Sequence, residues 1–267
     1  MAGHADPVDG AHPAWPSTDE ELVSVQERLA REAPCPFVLP EDPLVGGCFV
    51  AFARGEAGPG HAGDRAWAAA VVWRPKDALR KRGRRIVDHT LRGTQRDAPR
   101  RAADVADQAV AAGRVPAAYV PGLLALREGP VLAAAVAGLH VSPDVLLVDA
   151  TGVDHPRGAG LALHLGWVLG LPTVGVTQHP LVADRGQPPP LVRGETSPVR
   201  LDGRTVGYWV CTRSGARPVL AHAAWRTDPE TAAAVVLVAS TEGARTPVPL
   251  QEARRVAREA RDLAGFG

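Results

Sequence analysis

The sequence is poor in cysteine and in excess charge, and each shortage excludes a class of protein. Its three cysteines, Cys35, Cys48 and Cys211, lie far apart without the spacing of metal ligands. This argues against a zinc site or a disulfide framework and predicts reduced, buried thiols. A formal net charge of +1 over 267 residues lacks the overall positive field of a strongly basic nucleic-acid-binding protein. Any binding to nucleic acid must therefore come from a local patch.

Long apolar runs are also missing, since none reaches the length of a membrane span. The first residues carry acids and prolines rather than a basic start followed by an apolar stretch. We therefore expect a cytoplasmic protein that makes no contact with membranes. With 45% hydrophobic residues, the chain can bury one sizeable core. We expect a flexible lead over residues 1–16, a single domain over residues 17–267, and a monomer.

The pattern of apolar runs predicts a mixed sheet flanked by helices. A continuous apolar run at 144–149, a helix closed by Gly170 and a second run at 172–177 have the spacing of a parallel strand, helix, strand unit. Asp149 then lies at the carboxyl end of a central strand, where open α/β sheets bind ligands. Further strands are predicted at 44–53, 66–74, 204–213 and 217–225. Helices are predicted at 18–33, 228–240 and 248–263. Another helix is predicted from Leu123 to about Leu139, with an interruption at 129–130.

One stretch of the chain is strongly basic. Between Arg80 and Arg101 there are nine Lys or Arg residues against two Asp residues. Such a run forms either a solvated loop and helix face or an arm that contacts phosphates without regard to base sequence. The proline-rich segment at 182–197 is predicted to be a loop.

Two motifs resemble the endonuclease V family, whose members nick DNA, and in some cases RNA, on the 3′ side of a deaminated adenine. The first is YVPGLLALRE at 119–128, and the second is VDATGVDHPRGAGLALHLGWVLGLPTVGV at 148–176. The resemblance implies an α/β fold with a ribonuclease-H-like mixed β-sheet flanked by helices. It also implies Mg²⁺, with Mn²⁺ as an alternative, and a nucleic-acid partner that is DNA, with RNA as the second candidate.

The resemblance assigns two carboxylates to catalysis and to metal binding. The glutamate of the first motif corresponds to Glu128, and the aspartate of the second corresponds to Asp149. An enzyme that cleaves a phosphodiester uses Mg²⁺ to neutralise developing charge and to orient the attacking water. Mg²⁺ often takes only one or two protein carboxylates and keeps waters elsewhere.

The resemblance also assigns a wedge that probes the nucleic-acid strand. In this chain the wedge is formed by Tyr119, Val120, Pro121 and Gly122. Apolar and aromatic side chains suit this task because they replace base stacking when a nucleotide is extruded. The alternative for Tyr119 is a residue that covers the core where a helix begins.

Three residues of the second motif are further candidates for nucleic-acid binding. Gly152 matches a glycine of the turn that approaches the extruded base, where the lack of a side chain lets backbone amides meet the ligand. His155 and Arg157 match a His-Pro-Arg run. We expect them either to contact phosphate or to support the residues that do.

Four positions depart from the family pattern and put the chemistry in doubt. Phe49 stands where the family carries an aspartate, Ala150 replaces a glycine, Gln178 replaces a lysine and Trp225 replaces a histidine. A phenylalanine can neither bind a metal nor accept a proton. The candidates to substitute for lost groups are His222, His179, Asp154 and Asp64, each of which could equally be an ordinary polar residue.

Three functions remain open at this point. The first is a metal-dependent nuclease of DNA repair that cleaves 3′ to inosine. The second is a catalytically impaired relative that acts as a nucleic-acid-binding or regulatory module. The third is a site for a small nucleotide-like ligand in the same cavity, which Phe49 and Trp225 would line with aromatic faces.

Overall fold

The computed structural model describes residues 13–54, 60–75 and 104–266. The basic stretch at 80–101 and the first twelve residues of the predicted lead lie outside these ranges. The elements, in chain order, are α1 (Asp19–Leu29), β1 (Val45–Phe52), β2 (Arg65–Trp73), β3 (Val105–Arg114), α2 (Leu124–Ala137), β4 (Val145–Val148), α3 (Leu161–Leu169), β5 (Thr173–Thr177), β6 (Thr196–Leu201), β7 (Arg204–Val210), β8 (Val219–Ala223), α4 (Pro229–Val238) and α5 (Val248–Leu263).

The strands form one eight-stranded sheet in the order β3-β2-β1-β4-β5-β8-β7-β6. Strand β4 pairs in parallel with β1 on one side and with β5 on the other. The remaining pairs are antiparallel. The predicted mixed α/β sheet is confirmed, and so is the parallel unit formed by β4, α3 and β5.

The core lies on both faces of this sheet, and β4 explains why. Leu146 and Val148 pack with α1, α2 and α3 on one face, whereas Val145 and Leu147 pack with α4 and the start of α5 on the other. Successive side chains of a strand point to opposite faces. A strand covered on both sides therefore requires an unbroken apolar run, which is the pattern seen in the sequence.

Two edge strands were not predicted from the sequence. Strand β3 follows the basic stretch, in a segment for which no strand was predicted, and it pairs with β2. Its alanines and polar residues have low strand propensity, and only one of its faces is partly buried. Strand β6 begins inside the predicted 182–197 loop and carries Pro198, which an edge strand tolerates because no ladder hydrogen bond is needed on its open side.

Helix α2 runs without a break through Pro130, so the predicted interruption at 129–130 is wrong. One lost backbone hydrogen bond is outweighed by the burial of Leu126, Leu132 and Val136 along the same helix. Gly129 is needed here for a different reason, since a Cβ at that position would collide with the ring of Trp15. Trp15 lies inside the predicted lead and packs against the core, while the division of the chain at residue 16 stays a prediction.

Two further expectations concern cysteines and membranes. Cys48 and Cys211 are buried free thiols, whereas Cys35 is exposed, so the prediction of three buried thiols is wrong for Cys35. None of the helices in the described ranges combines the length and the hydropathy needed to cross a bilayer.

Candidate functional site

Asp149 lies immediately after β4, beside Phe49 of β1. The parallel register pairs Cys48 with Val148. Phe49 and Asp149, the residues that follow them, are therefore neighbours. The Asp149 side chain is 40% exposed. Phe49 occupies the position at which the resemblance places an aspartate. An apolar ring therefore lies next to Asp149 where the family carries a carboxylate.

Glu128 lies on α2 and is within electrostatic reach of Asp149. Desolvation raises the pKa of Glu128 to about 7, and the charge of Asp149 adds to the rise while Arg127 opposes it. Burial is also the main cause of the raised pKa of the Cys48 thiol, with further contributions from Asp149 and Glu128. The two predicted catalytic carboxylates are thus within electrostatic reach of each other and of a neutral thiol.

Arg254 of α5 completes this cluster, and sequence reasoning missed it. Its Nη2 donates a hydrogen bond to Asp149 Oδ2 at 2.8 Å, and its guanidinium carbon lies 4.8 Å from the centre of the Phe49 ring. Phe49 itself packs against the apolar side of α5. The negative charge of Asp149 is therefore already balanced by a protein cation.

This arrangement does not fit a divalent cation. Across the described ranges, no group of three His, Cys, Asp or Glu side chains is placed to hold a metal. Phe49 supplies no ligand atom, and Asp149 is engaged by Arg254. Of the two carboxylates that Mg²⁺ could use, Asp149 is thus already paired with a protein cation.

Asp154 and His222, two of the candidate substitutes, are engaged elsewhere. The Asp154 carboxylate is fully buried and accepts hydrogen bonds from the backbone N–H groups of Leu181, Val182 and Ala183 at 2.7–2.9 Å. His222 Nδ1 lies 3.6 Å from the same carboxylate. Burial lowers the pKa of His222. Asp154 thus anchors the loop after β5 to the turn after β4.

Asp64 is also committed to structure. Arg127 Nη2 donates to Asp64 Oδ2 at 2.7 Å, and the two side chains are only 4% and 10% exposed. Arg127 Nη1 donates to the carbonyl groups of His61 and Ala117. This buried pair fixes the loop before β2 against the start of α2, and it provides no ligand to the site at Asp149.

The wedge lies at a cavity. Tyr119 and Val120 are 43% and 40% exposed, so Tyr119 is not a core-covering residue. Tyr119 and Pro121 line a cavity of about 230 Å³, together with Ala150 and Thr151 of the turn after β4. This places the predicted wedge and the residues that directly follow Asp149 around one space.

Three polar side chains hold the carbonyl group of Gly122 behind the wedge. It accepts hydrogen bonds from Arg157 Nη2 at 2.6 Å and from Gln26 Nε2 at 3.3 Å. His155 Nε2 lies 3.2 Å away, and His155 Nδ1 accepts from the backbone N–H of Arg157, which places the ring proton on Nε2. Burial, and then the charge of Arg157, lowers the pKa of His155, so the ring is neutral. His155 and Arg157 therefore support the backbone of the wedge, and contact between them and a phosphate stays a prediction.

Gln26 completes this network and was not identified from the sequence. Arg157 Nε donates to Gln26 Oε1 at 2.6 Å. The signal in the sequence was a polar residue on the buried side of α1, where Leu22, Gln26 and Leu29 recur at intervals of four and three. Gly122 contributes a left-handed backbone with φ of 82°, which a residue with a side chain adopts only under strain.

Gly152 packs against the neighbouring strand. A Cβ at Gly152 would collide with the carbonyl oxygen of Ala223 in β8. Close packing of the turn against β8 therefore requires glycine at this position. The predicted approach of its amide to a base stays a prediction.

The remaining altered positions are dispersed. Ala150 lines the cavity at the wedge, and the exposed Gln178 accepts a hydrogen bond from Arg245 at 3.4 Å. Trp225 lines a different cavity, beside α1, whereas Phe49 packs against α5. That Phe49 and Trp225 line one ligand cavity stays a prediction.

Comparisons with known proteins agree with this architecture. The family model for Endonuclease V matches residues 98–255. An Endonuclease V from Roseiflexus sp. is 41% identical over 138 residues, which are 52% of this chain and 62% of that protein, so the match spans less than two thirds of the relative.

Solved structures extend the similarity to nearly the whole chain. The crystal structure of Endonuclease V from Streptomyces avermitilis has a TM-score of 0.75 at 32% identity and covers 94% of this chain and 96% of that one. Endonuclease V from Ciona intestinalis, in complex with a 24mer DNA containing an inosine followed by a ribo-adenosine, has a TM-score of 0.64 at 19% identity and covers 92% and 98%. The latter likeness concerns the fold alone. The ribonuclease-H-like fold is confirmed, and the chain belongs to the endonuclease V family.

Proposed function

We propose that this protein binds nucleic acid by extruding a single nucleotide into the cavity beside the wedge, with inosine as the preferred base. The observation that carries the proposal is the position of the exposed Tyr119 at a cavity of about 230 Å³, with the exposed Val120 next to it in the chain. Exposed apolar side chains next to a cavity can fill the gap that an extruded base leaves in the stack. The Ciona relative, in complex with an inosine-containing DNA, supports this choice of ligand.

The size of the cavity favours one base over a larger ligand. Sites for drug-sized molecules enclose roughly 300–1,000 Å³, which exceeds the volume beside the wedge. The network around the Gly122 carbonyl group also supports the proposal, because it holds the wedge rigidly before binding. A wedge fixed in advance loses less conformational freedom when it binds.

Cleavage of the strand 3′ to inosine, in DNA repair, is the second candidate function. Its support is that Glu128 and Asp149 are close enough for the charge of one to shift the pKa of the other. Against it stand Phe49 and the ion pair between Arg254 and Asp149. Because these residues do not fit Mg²⁺ or Mn²⁺, we assign recognition of the base as the function and derive no metal-dependent step. The proposed partner is DNA, with RNA as the second candidate, and the proposed form is a cytoplasmic monomer.

The first experiment measures binding by fluorescence anisotropy. Oligonucleotides that differ only in one inosine or one adenine are titrated with the protein in EDTA. We expect tighter binding to inosine and loss of that preference in Val120→Ser. The matched control is Val38→Ser, since Val38 is also exposed but neither it nor its neighbours in the chain line the cavity. Equal affinity for both oligonucleotides would overturn the proposal.

The same oligonucleotides test the second candidate. Nicking is measured with Mg²⁺ and with Mn²⁺, beside Glu128→Gln and Asp149→Asn. Nicking that both substitutions abolish would establish the nuclease. Binding to inosine without nicking would establish recognition as the function of this chain.

A further inference from the structure

We infer that Arg254 is the resident cation of this site, and that its guanidinium contacts the phosphate backbone of bound nucleic acid in place of a divalent metal. The ligand is a phosphodiester anion. The inference rests on the proposed binding of nucleic acid. Its statement that Arg254 takes the place of a metal can nevertheless be tested on the protein alone.

The first support is that residues from two other elements surround the guanidinium. Arg254 of α5 contacts the carboxylate that follows β4 and the ring that β1 contributes. Both neighbours stabilise a positive charge: a carboxylate by ion pairing and a phenylalanine face by its quadrupole. A weakly hydrated guanidinium stacks well on an aromatic face, whereas Mg²⁺ retains water and requires oxygen ligands. The substitution at Phe49 therefore suits arginine and disfavours the metal.

The second support is the unused hydrogen-bonding capacity of Arg254. Guanidinium carries five N–H groups in a planar fork, and Asp149 takes one from Nη2. Nε is buried and has no hydrogen-bond partner within the described part of the chain. The side chain is still 36% exposed, so its outer N–H groups are open to a ligand. A phosphate group matches this fork with two parallel hydrogen bonds.

The third support is the contrast with the adjacent arginine of α5. Arg255 donates to the carboxylates of Glu252 and Glu259, both on its own helix. Its charge is therefore neutralised locally and directed along the helix surface. Arg254 is instead directed across the sheet to the end of β4. Two neighbouring arginines of equal charge thus differ in whether they face the site, which makes Arg255 the matched control.

The metal-binding part is tested by titrating the protein with Mn²⁺ and following free Mn²⁺ by electron paramagnetic resonance. We expect no saturable site in the natural sequence or in Arg255→Gln. The double variant Phe49→Asp/Arg254→Gln restores a carboxylate and removes the cation, so we expect it to gain one site, which Asp149→Asn abolishes. A saturable site in the natural sequence that Asp149→Asn removes would overturn the inference.

The phosphate part is tested with the inosine oligonucleotide in EDTA at several salt concentrations. We expect Arg254→Gln to weaken binding and to reduce the salt dependence by about one phosphate contact, while Arg255→Gln changes neither. Unchanged binding in Arg254→Gln would overturn this part. Absence of binding by the natural sequence would instead refute the proposed function, and the Mn²⁺ result would still stand. Thermal unfolding of each variant verifies that it is folded.

Discussion

Trp15 stacks on His164, with ring centroids 4.8 Å apart and ring planes within 8° of parallel. Trp167 contacts the same imidazole edge-on at 5.6 Å. His164 is fully buried, and neither ring nitrogen has a hydrogen-bond partner among the described residues. The segment before α1 is thus fastened to α3 through a histidine that is held neutral.

This histidine makes stability depend on pH. Burial, with a smaller effect of Arg28, lowers the pKa of His164 from 6.5 to about 4. As the pH falls, the unfolded chain therefore takes up a proton on His164 before the folded protein does. The free energy of unfolding thus keeps its full value above pH 6.5 and decreases as the pH falls toward 4. The expected loss is on the order of 3 kcal/mol. Urea unfolding at several pH values should show that the free energy of unfolding varies less with pH in His164→Phe than in the natural sequence. The same pH dependence in both proteins would refute the role of His164.

Arg127 should be a major determinant of stability. Its substitution by methionine removes the charged partner of the buried Asp64 carboxylate, which also accepts from the backbone N–H of His61, and two further hydrogen bonds to carbonyl groups. Breaking a buried ion pair from one side costs about 3–5 kcal/mol. The control is Arg74→Met, because Arg74 pairs with Asp42 on the surface, where a pair contributes at most about 1 kcal/mol. Chemical denaturation compares them, and equal losses would contradict the prediction.

Asp154→Asn should loosen the loop after β5. The carboxylate accepts three backbone N–H groups, and an amide offers only one acceptor oxygen. We expect a loss of about 2–4 kcal/mol and faster amide exchange at 181–183. Asp144→Asn is the comparison, since Asp144 accepts one backbone N–H, from Leu44, at an exposed position. Unchanged exchange at 181–183 would show that the carboxylate does not anchor the loop.

Gln26→Leu separates the support of the wedge from the wedge itself. The change removes one donor to the Gly122 carbonyl group and the acceptor of Arg157 Nε. We expect a loss of about 1–3 kcal/mol in stability and a reduced preference for inosine in the anisotropy assay, because Gln26 supports the wedge and also lines the cavity. Gln187→Leu, at an exposed position, should change neither quantity. A stability loss with the full preference retained would limit Gln26 to a structural role.

The predictable parts of the site are those that local sequence determines. The unbroken apolar run of β4 places Asp149 at a strand end, and the wedge lies next to the start of α2. The pairing of Arg254 with Asp149 spans 105 residues, and nothing near Arg254 distinguishes it from Arg255. Strand β3 was missed because its propensity is weak and its pairing with β2 determines its structure. Local patterns thus predicted the elements, while the contacts that decide the chemistry are long-range.

The distances along the chain between Phe49, Asp149 and Arg254 also determine when the site forms during synthesis. β1 cannot pair with β4 until about a hundred further residues have been added, and domains generally fold as units once their residues are available. Until α5 docks, the Asp149 carboxylate lacks its counter-charge and Phe49 lacks its cover. The site is therefore completed only when α5 docks, because its charge balance depends on Arg254.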